Sequence, residues 1–452
     1  LEFIVDINSI IFKAYDIRGL YPTEINSEVA RRIGQAFAAI QKPRTVVVGC
    51  DARLSSPTLK TNLIEGLVES GVDVVDLGTI TTDLLYFAVG HYGYDGGIQV
   101  SASHNPGNYN GFKLVGEGAD VLLGQMPKLQ KWALSDSKPK AVPRGHLTGR
   151  SVTADYLDHV LSFIPAKSQF SFKVAADANF GVVGRFAGEL ADRLGIKLAQ
   201  LNWEPDGSFP QGRPDPFVSE NRKHISNLVR DEGADLGVAW DGDGDRCVFY
   251  TESGDYVPGC FVTAILAQHF LDSNPGARIV HDTRLVWAVD DTVRSAGGTS
   301  LTNAAGHTKI KERMRCEEAV FAGETSGHYY FRDNFYSDNG LIPFVLMLEI
   351  LESSGKAFSK LVEPFTSSYF VSDELNFTVA DVEPVLKRVE ESYKDGQLDY
   401  TDGLSVTFPG WRFNLRASHT EDEPIIRLNV ESRRSQKDVA DRVKELVAQI
   451  NA

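Results

Sequence analysis

Apolar runs ending in a carboxylate recur three times along the chain: "TVVVGCDAR" (Asp51, Arg53), "KVAADAN" (Asp177, Asn179) and "RIVHDTR" (Asp282, Arg284). Such Val-, Ile- and Ala-rich runs predict strands buried on both faces, as in parallel sheets. A helical stretch follows each and stops at glycine, in "LIEGLVESG", "FAGELADRLG" and "WAVDDTVRSAG". A second strand comes next, clearest in "VDVVDLG" and "IKLAQLN". A third apolar run then opens into a polar, Gly-rich loop: "GIQVSASHNPG", "DLGVAWDGDGDR" and "AVFAGETSGH". The alternation predicts three similar α/β domains with largely parallel, mixed sheets, and the repeat is too long for a solenoid. Ligands of open α/β sheets bind outside the carboxyl ends of strands. The three polar loops are therefore candidates for one shared site.

From about residue 367 the pattern changes. "LNFTVA" predicts a strand, and "DVEPVLKRVEESYK" an amphipathic helix with Val382, Val385, Leu386 and Val389 on its apolar face. "GLSVTF", a turn at Pro409-Gly410, "WRFNLRAS" and "PIIRLNVES" predict antiparallel strands, and "KDVADRVKELVAQI" a closing helix. The expected organisation is 1–150, 151–255 and 256–366 as α/β domains, with 367–452 as a smaller α+β domain.

A chain of 452 residues is too long for one hydrophobic core, which agrees with several domains. No window approaches the roughly 18 consecutive apolar residues of a membrane span. The first residues carry Glu2 and Asp6 and no basic region, so no signal peptide is expected. The formal charge of −15 argues against a nucleic-acid partner, and an anionic ligand would need Arg and Lys concentrated locally. Cys50, Cys247, Cys260 and Cys316 are scattered without a CxxC pair, which fits reduced thiols in the cytoplasm. Nothing in the sequence bears on oligomeric state.

"DGDGDR" places Asp241, Asp243 and Asp245 at alternate positions with glycine between them. Three carboxylates on a tight backbone can converge on one hard cation, and all-oxygen ligation suits Mg²⁺ or Ca²⁺. Glu252 falls at the twelfth position of an EF-hand pattern, but Arg246 replaces the glycine needed at the sixth, and the flanks predict strands. A Mg²⁺ site with positions open for a phosphate is preferred over a solvated acidic turn. "SASHNPG" holds Ser103 and His104, which are adjacent and in extended backbone would point apart, a poor Ser–His dyad. With Lys113 and a cation, Ser103 suits phosphoryl transfer. "GETSGH" offers Glu324, Ser326 and His328; a carboxylate and a hydroxyl can bracket vicinal sugar hydroxyls. "RASHTEDEPIIR" offers Arg416, Ser418, Thr420 and Arg427 as a phosphate cradle, and "AAGHTKIK" adds His307, Lys309 and Lys311.

Together these stretches resemble the α-D-phosphohexomutases, most closely the bacterial phosphomannomutase/phosphoglucomutase branch, from "FKAYDIRG" to "RLNVES". The resemblance implies three α/β domains and a smaller fourth around a central cleft. It makes Ser103 the phosphoryl carrier, completing a Mg²⁺ site with Asp241, Asp243 and Asp245. Lys113 and His104 would flank it, Arg18 and Arg246 would balance charge, and Tyr15 lies in the same element as Arg18. Glu324 and Ser326 would hold sugar hydroxyls, and Arg416, Ser418, Thr420 and Arg427 the phosphate that does not react. Hexose 6-phosphate and hexose 1-phosphate would interconvert through a hexose 1,6-bisphosphate, which also serves as activator. Lys113 and His307 are both candidates for the base.

The chain departs from the family pattern at Ser101, where Thr is more usual, at "NAAGH", and at Arg284, near a position often held by Lys. "SHTEDEP" has His419 where Asn is usual and is two residues longer than the common form. "YNGFK" and "GETSGH" favour a plain hexose phosphate over glucosamine phosphate. "RFNLRAS" and "IIRLNVES" make mannose the first choice, with glucose beside it. Phosphoglucomutase and phosphoglucosamine mutase are the alternatives within the superfamily; a sensor that has lost catalysis and a phosphatase lie further off.

Overall fold

The strand Thr45–Cys50 pairs in parallel with Asp73–Thr79 on one side and Gly96–Val100 on the other. The second repeat has the same arrangement: Lys173–Asp177 lies between Lys197–Leu201 and Leu236–Trp240, all parallel. In the third, Arg278–Asp282 pairs in parallel with Thr299–Asn303 and Phe321–Gly323. Each repeat thus places its first strand beside its third, so the aspartate ending one strand neighbours the polar loop leaving the other. Antiparallel additions make the sheets mixed: Tyr109–Gly116 and Ile17–Leu20 extend the first, and Cys247–Tyr250 the second. The glycines predicted to end the first helix of each repeat, Gly71, Gly195 and Gly297, all have left-handed backbone, with φ of 82°, 74° and 74°. A side chain disfavours that conformation, and helices commonly stop there.

The computed structural model describes residues 7–122, 124–139, 141–418 and 424–451. They form two compact units: the chain through Tyr256 together with His328–Gly355, and Val257–Gly327 together with the chain from Lys356. The first unit holds two of the repeats, the antiparallel pair Tyr329–Phe331 and Ser337–Asp338, and the helix Ile342–Ser354. That helix is apolar nearly all round and its first seven residues are buried, so it belongs to a core rather than a surface. Trp240 stacks edge-on against Phe344, and its indole N–H donates to the Gly340 carbonyl at 2.7 Å.

The second unit holds the third repeat and an antiparallel sheet. In that sheet Ile425–Ser432 lies between Trp411–Ala417 and Leu375–Thr378, and Leu404–Phe408 and Gln397–Asp399 extend it. Val385 and Val389 of the helix Val382–Ser392 are buried against it, with Val382 and Leu386 partly buried beside them. Strict alternation sends Trp411, Phe413, Leu415, Ile426, Leu428 and Val430 into that core. Arg412, Asn414, Arg416, Arg427, Asn429 and Glu431 therefore share the opposite face, paired across the strands as Arg412↔Glu431, Asn414↔Asn429 and Arg416↔Arg427. Among the described residues no helix is long and apolar enough to cross a membrane.

Candidate active site

Ser103 lies just past the strand Gly96–Val100 and is buried, with a left-handed φ of 49°. Its N–H donates to Ser101 Oγ at 2.9 Å, and its own Oγ donates to Asp241 Oδ2 at 2.9 Å. The left-handed turn also overrides the expected divergence of Ser103 and His104, since Ser103 Oγ and His104 Nδ1 are 3.2 Å apart. Alternation of adjacent side chains holds only in extended backbone. Arg18 Nη1 donates to Asn105 Oδ1 at 2.8 Å, and the same guanidinium pairs with Asp16. Tyr15, half-buried, adjoins Asp16 in the chain.

The acidic motif turns between the antiparallel strands Leu236–Trp240 and Cys247–Tyr250, as the apolar flanks predicted. Asp241, Asp243 and Asp245 are all buried and bring carboxylate oxygens within 4.8 Å of one another. The intervening glycines are sterically required. A Cβ on Gly242 would meet the Ser103 carbonyl at 2.8 Å, and one on Gly244, at φ 77°, would meet Thr81 Cγ2 at 2.8 Å. Lys113 Nζ donates to Asp243 Oδ2 and Asp245 Oδ2, both at 2.6 Å, and Thr82 Oγ1 donates to Asp243 Oδ2 at 2.5 Å. Burial raises the Asp243 carboxyl, but Lys113 and Thr82 outweigh it and hold it below its ordinary value. Asp241, pushed up by burial and then by the charges of Asp245 and Asp243, sits well above.

Asp243 Oδ1 and Asp245 Oδ1 have no hydrogen-bond partner among the described residues although both are buried. Orphaned buried carboxylate oxygens are costly, and a hard cation with oxygen preference satisfies them. The donor set fits a divalent metal.

His328, expected among sugar-binding residues, has a different setting. Its Nδ1 is 2.9 Å from Asp338 Oδ2 and 3.7 Å from Asp245 Oδ1, and its Nε2 accepts from Arg246 Nε at 3.1 Å. Arg246 Nε is itself 3.6 Å from Asp241 Oδ2. The imidazole is thereby part of the acidic loop's surroundings. Asp338 and Thr82 carry no motif in the sequence that could have singled them out.

Glu324, Ser326, His307, Arg416, Ser418 and Arg427 belong to the second unit. Arg284 Nη2 donates to Glu324 Oε2 at 3.1 Å and Ser326 Oγ at 3.2 Å, and Gly306 N donates to Glu324 Oε2 at 3.2 Å. His307, half-buried, begins the helix His307–Glu317. Sequence reasoning missed Glu374. Its carboxylate accepts from Arg416 Nη2 at 2.9 Å and Arg427 Nη1 at 3.3 Å, and lies 3.6 Å from Arg284 Nη1. Burial alone would raise the Glu374 carboxyl, but the three guanidinium groups hold it below its usual range. Ser418 closes the base of the loop, its N–H donating to the Ile425 carbonyl at 2.8 Å. Thr420 and the longer stretch around His419 lie outside the described residues.

Models of the phosphoglucomutase/phosphomannomutase family match most of the chain: α/β/α domain I over residues 9–135, domain II over 154–254 and domain III over 258–369. The chain is 43% identical over 433 residues to a phosphomannomutase of Escherichia coli K12, covering 93% of this chain and 94% of that one. It is 42% identical over 426 residues to a Xanthomonas campestris protein named for phosphohexose mutases, covering 93% and 95%. A crystal structure of a phosphoglucomutase/phosphomannomutase family protein from Burkholderia thailandensis superposes with a TM-score of 0.86 at 32% identity, covering 98% of this chain and 97% of that one. Family models over most of the chain and relatives over nearly its full length point the same way: the chain belongs to the phosphoglucomutase/phosphomannomutase family and is a phosphohexomutase.

Proposed function

We propose that the protein interconverts hexose 6-phosphate and hexose 1-phosphate, mannose first and glucose beside it, with Ser103 carrying the phosphoryl group and a hexose 1,6-bisphosphate as intermediate and activator. One observation carries the reading: Ser103 Oγ, on a left-handed turn, is 2.9 Å from an acidic loop that retains two orphaned carboxylate oxygens. Asp241, Asp243, Asp245 and the phosphorylated Ser103 would hold Mg²⁺, whose role is to neutralise charge on the transferring group.

The chain's own residues do the rest. The bond between Ser103 Oγ and phosphorus breaks as a new one forms to the free sugar hydroxyl, whose proton passes to a base for which His307 is the candidate. Lys113, the other candidate, is already protonated: burial lowers its ammonium, but the charges of Asp243 and Asp245 outweigh that and hold it well above the ordinary value. Glu324 and Ser326 orient the sugar, while Arg416, Ser418, Thr420 and Arg427 hold the phosphate that does not react. After the bisphosphate turns over, its other phosphate returns to Ser103. Lys113, Arg18, Arg246 and His104 are assigned to stabilising charge around Ser103, and Tyr15 and His328 to substrate binding. The division into domains ending near residues 150, 255 and 366 belongs to the same proposal. So does a cytoplasmic location, which four free cysteines support.

A coupled assay with mannose 1-phosphate and glucose 1-phosphate, Mg²⁺ and catalytic hexose bisphosphate tests the substrate. Intact mass and peptide mapping test the carrier. Full mutase activity in Ser103→Ala would overturn it.

A further inference from the structure

The three strand-ending aspartates share a second feature that the reaction as described leaves without a role. Each turns its Oδ1 back to accept the N–H two residues on: Arg53 at 3.0 Å, Asn179 at 2.8 Å and Arg284 at 2.8 Å. The turn aims the side chain of that residue across the sheet. Because the first and third strands of each repeat are parallel neighbours, with registers Cys50↔Val100, Asp177↔Ala239 and His281↔Gly323, the side chain arrives where the polar loop begins.

What it meets there is the polar loop each time, through backbone carbonyls in the first two repeats and through side chains in the third. Arg53 Nη2 donates to the carbonyls of Ser103 and Asn105, both at 2.7 Å, and Nη1 to those of Pro106 at 2.6 Å and Tyr109 at 3.1 Å. Its Nε is fixed by Asp51 Oδ2 at 3.0 Å, and its side chain is 0% exposed. Asn179 Nδ2 donates to the carbonyl of Trp240, the residue before Asp241, at 2.7 Å. Arg284 reaches Glu324 and Ser326. The second repeat carries Asn rather than Arg where the backbone is left-handed, with φ of 46° at Asn179, a conformation that Asn tolerates best among residues with side chains.

We propose that the strand-ending Asp-x-Arg/Asn element is a positioning clamp on each chemistry-bearing loop, and that Arg53 is the residue holding Ser103 in its reactive backbone conformation. The proposal rests on Ser103 being the phosphoryl carrier. Left-handed backbone at a serine persists only where the surroundings over-determine it. Carbonyls gripped on both sides of His104 by one buried, planar fork supply that constraint. Lysine keeps the charge opposite Asp51 but lacks the fork.

The test compares Arg53→Lys with Arg32→Lys. Arg32 also donates to a set of loop carbonyls, those of Trp132, Ala133 and Ser137, away from any residue assigned to the reaction. Arg53→Lys is expected to lower kcat and the single-turnover rate of Ser103 phosphorylation by roughly 10- to 100-fold, with KM for sugar phosphate within about twofold. Arg32→Lys is expected to lower Tm and leave kcat unchanged. Asn179→Ala should weaken Mg²⁺ binding to the purified protein about fivefold by calorimetry, the worth of one net hydrogen bond. If Arg53→Lys does not fold, Asp51→Asn, which releases the Nε anchor, is read for the same split between kcat and KM. Wild-type kcat in the folded Arg53 or Asp51 variant overturns the clamp, as does an equal loss of kcat in Arg32→Lys. Full activity in Ser103→Ala overturns the functional reading instead, so the two failures are told apart.

Discussion

At the scale of single residues, the acidic loop and the arginine cluster pose opposite electrostatic problems. Three buried carboxylates face one ammonium, that of Lys113 beside Asp243 and Asp245, and one guanidinium, that of Arg246 beside Asp241, so the loop is short of positive charge. Asp243→Asn removes a carboxylate that also receives Thr82 and Ser101, and should weaken Mg²⁺ binding by at least about tenfold in calorimetry, with kcat falling alongside. Unchanged affinity would mean that the carboxylates only shape a turn. Around Glu374 three guanidinium groups, those of Arg284, Arg416 and Arg427, converge on one carboxylate, which under the proposed roles occupies groups that a phosphate would otherwise engage. Glu374→Gln should therefore lower KM for the sugar phosphate, by about tenfold if one charge-assisted contact is freed. It should also lower Tm, because buried guanidinium groups lose a partner. Steady-state kinetics decide the sign. A raised KM would identify the carboxylate as a brace for the arginines rather than a competitor.

Elements show where local pattern is enough and where it fails. Strand ends at Asp51, Asp177 and Asp282, glycine stops, and the alternation in "WRFNLRA" are local features, and the fold follows them. Ser103, Asp241 and Lys113 could be singled out because their neighbours in sequence carry the chemistry. Glu374 could not, because its partners lie 42 and 53 positions away, and nothing in "SDELN" distinguishes it from a solvated turn. The approach of His104 to Ser103 was hidden for another reason: it depends on a positive φ that serine rarely adopts.

The repeated strand end also yields a pH prediction. Asp51 and Asp282 face Arg53 and Arg284, whereas among the described residues Asp177 accepts from Asn179 N and Asn202 Nδ2 alone, and its Oδ2 has no hydrogen-bond partner there. Burial pushes the Asp177 carboxyl from 3.8 up to about 7. The folded state thus binds this proton more tightly than the unfolded one. The stabilising contribution is complete below the unfolded value and is lost as pH rises through about 7. Asp177→Asn imitates the protonated acid. It should match wild type in thermal unfolding near about pH 3, where Asp177 is protonated in both states, and exceed it near about pH 8. A constant difference at both pH values would show that Asp177 does not titrate.

For the molecule as a whole, the path of the chain matters more than the order of its domains. The first unit is completed by His328–Gly355, which follows 71 residues of the other unit, Val257–Gly327. Within the first unit that return segment supplies Gly340 and Phe344 against Trp240, Asn339 Nδ2 donating to Tyr156 Oη at 3.1 Å, and Gly340 N donating to Asp83 Oδ2 at 3.2 Å. A fragment ending at Tyr256 would expose the apolar surface that the helix Ile342–Ser354 covers. It should therefore lack a cooperative thermal transition and bind a hydrophobic dye, while a fragment with residues 328–355 joined through a short linker should unfold cooperatively. Cooperative unfolding of the shorter fragment would contradict this.

The passage of the chain between units falls inside one short motif, "GETSGH", with Glu324 and Ser326 on one side of it and His328 on the other. Recombination among relatives can exchange whole domains, but a crossover near this motif transplants a sugar-loop carboxylate together with the imidazole that leans on Asp245. Under the roles proposed for these residues, selectivity and phosphoryl chemistry would be inherited together. If those roles hold, engineering a new sugar preference through this motif would keep His328 fixed while varying Glu324 and Ser326, because exchanging the complete motif would also move the imidazole beside Asp245.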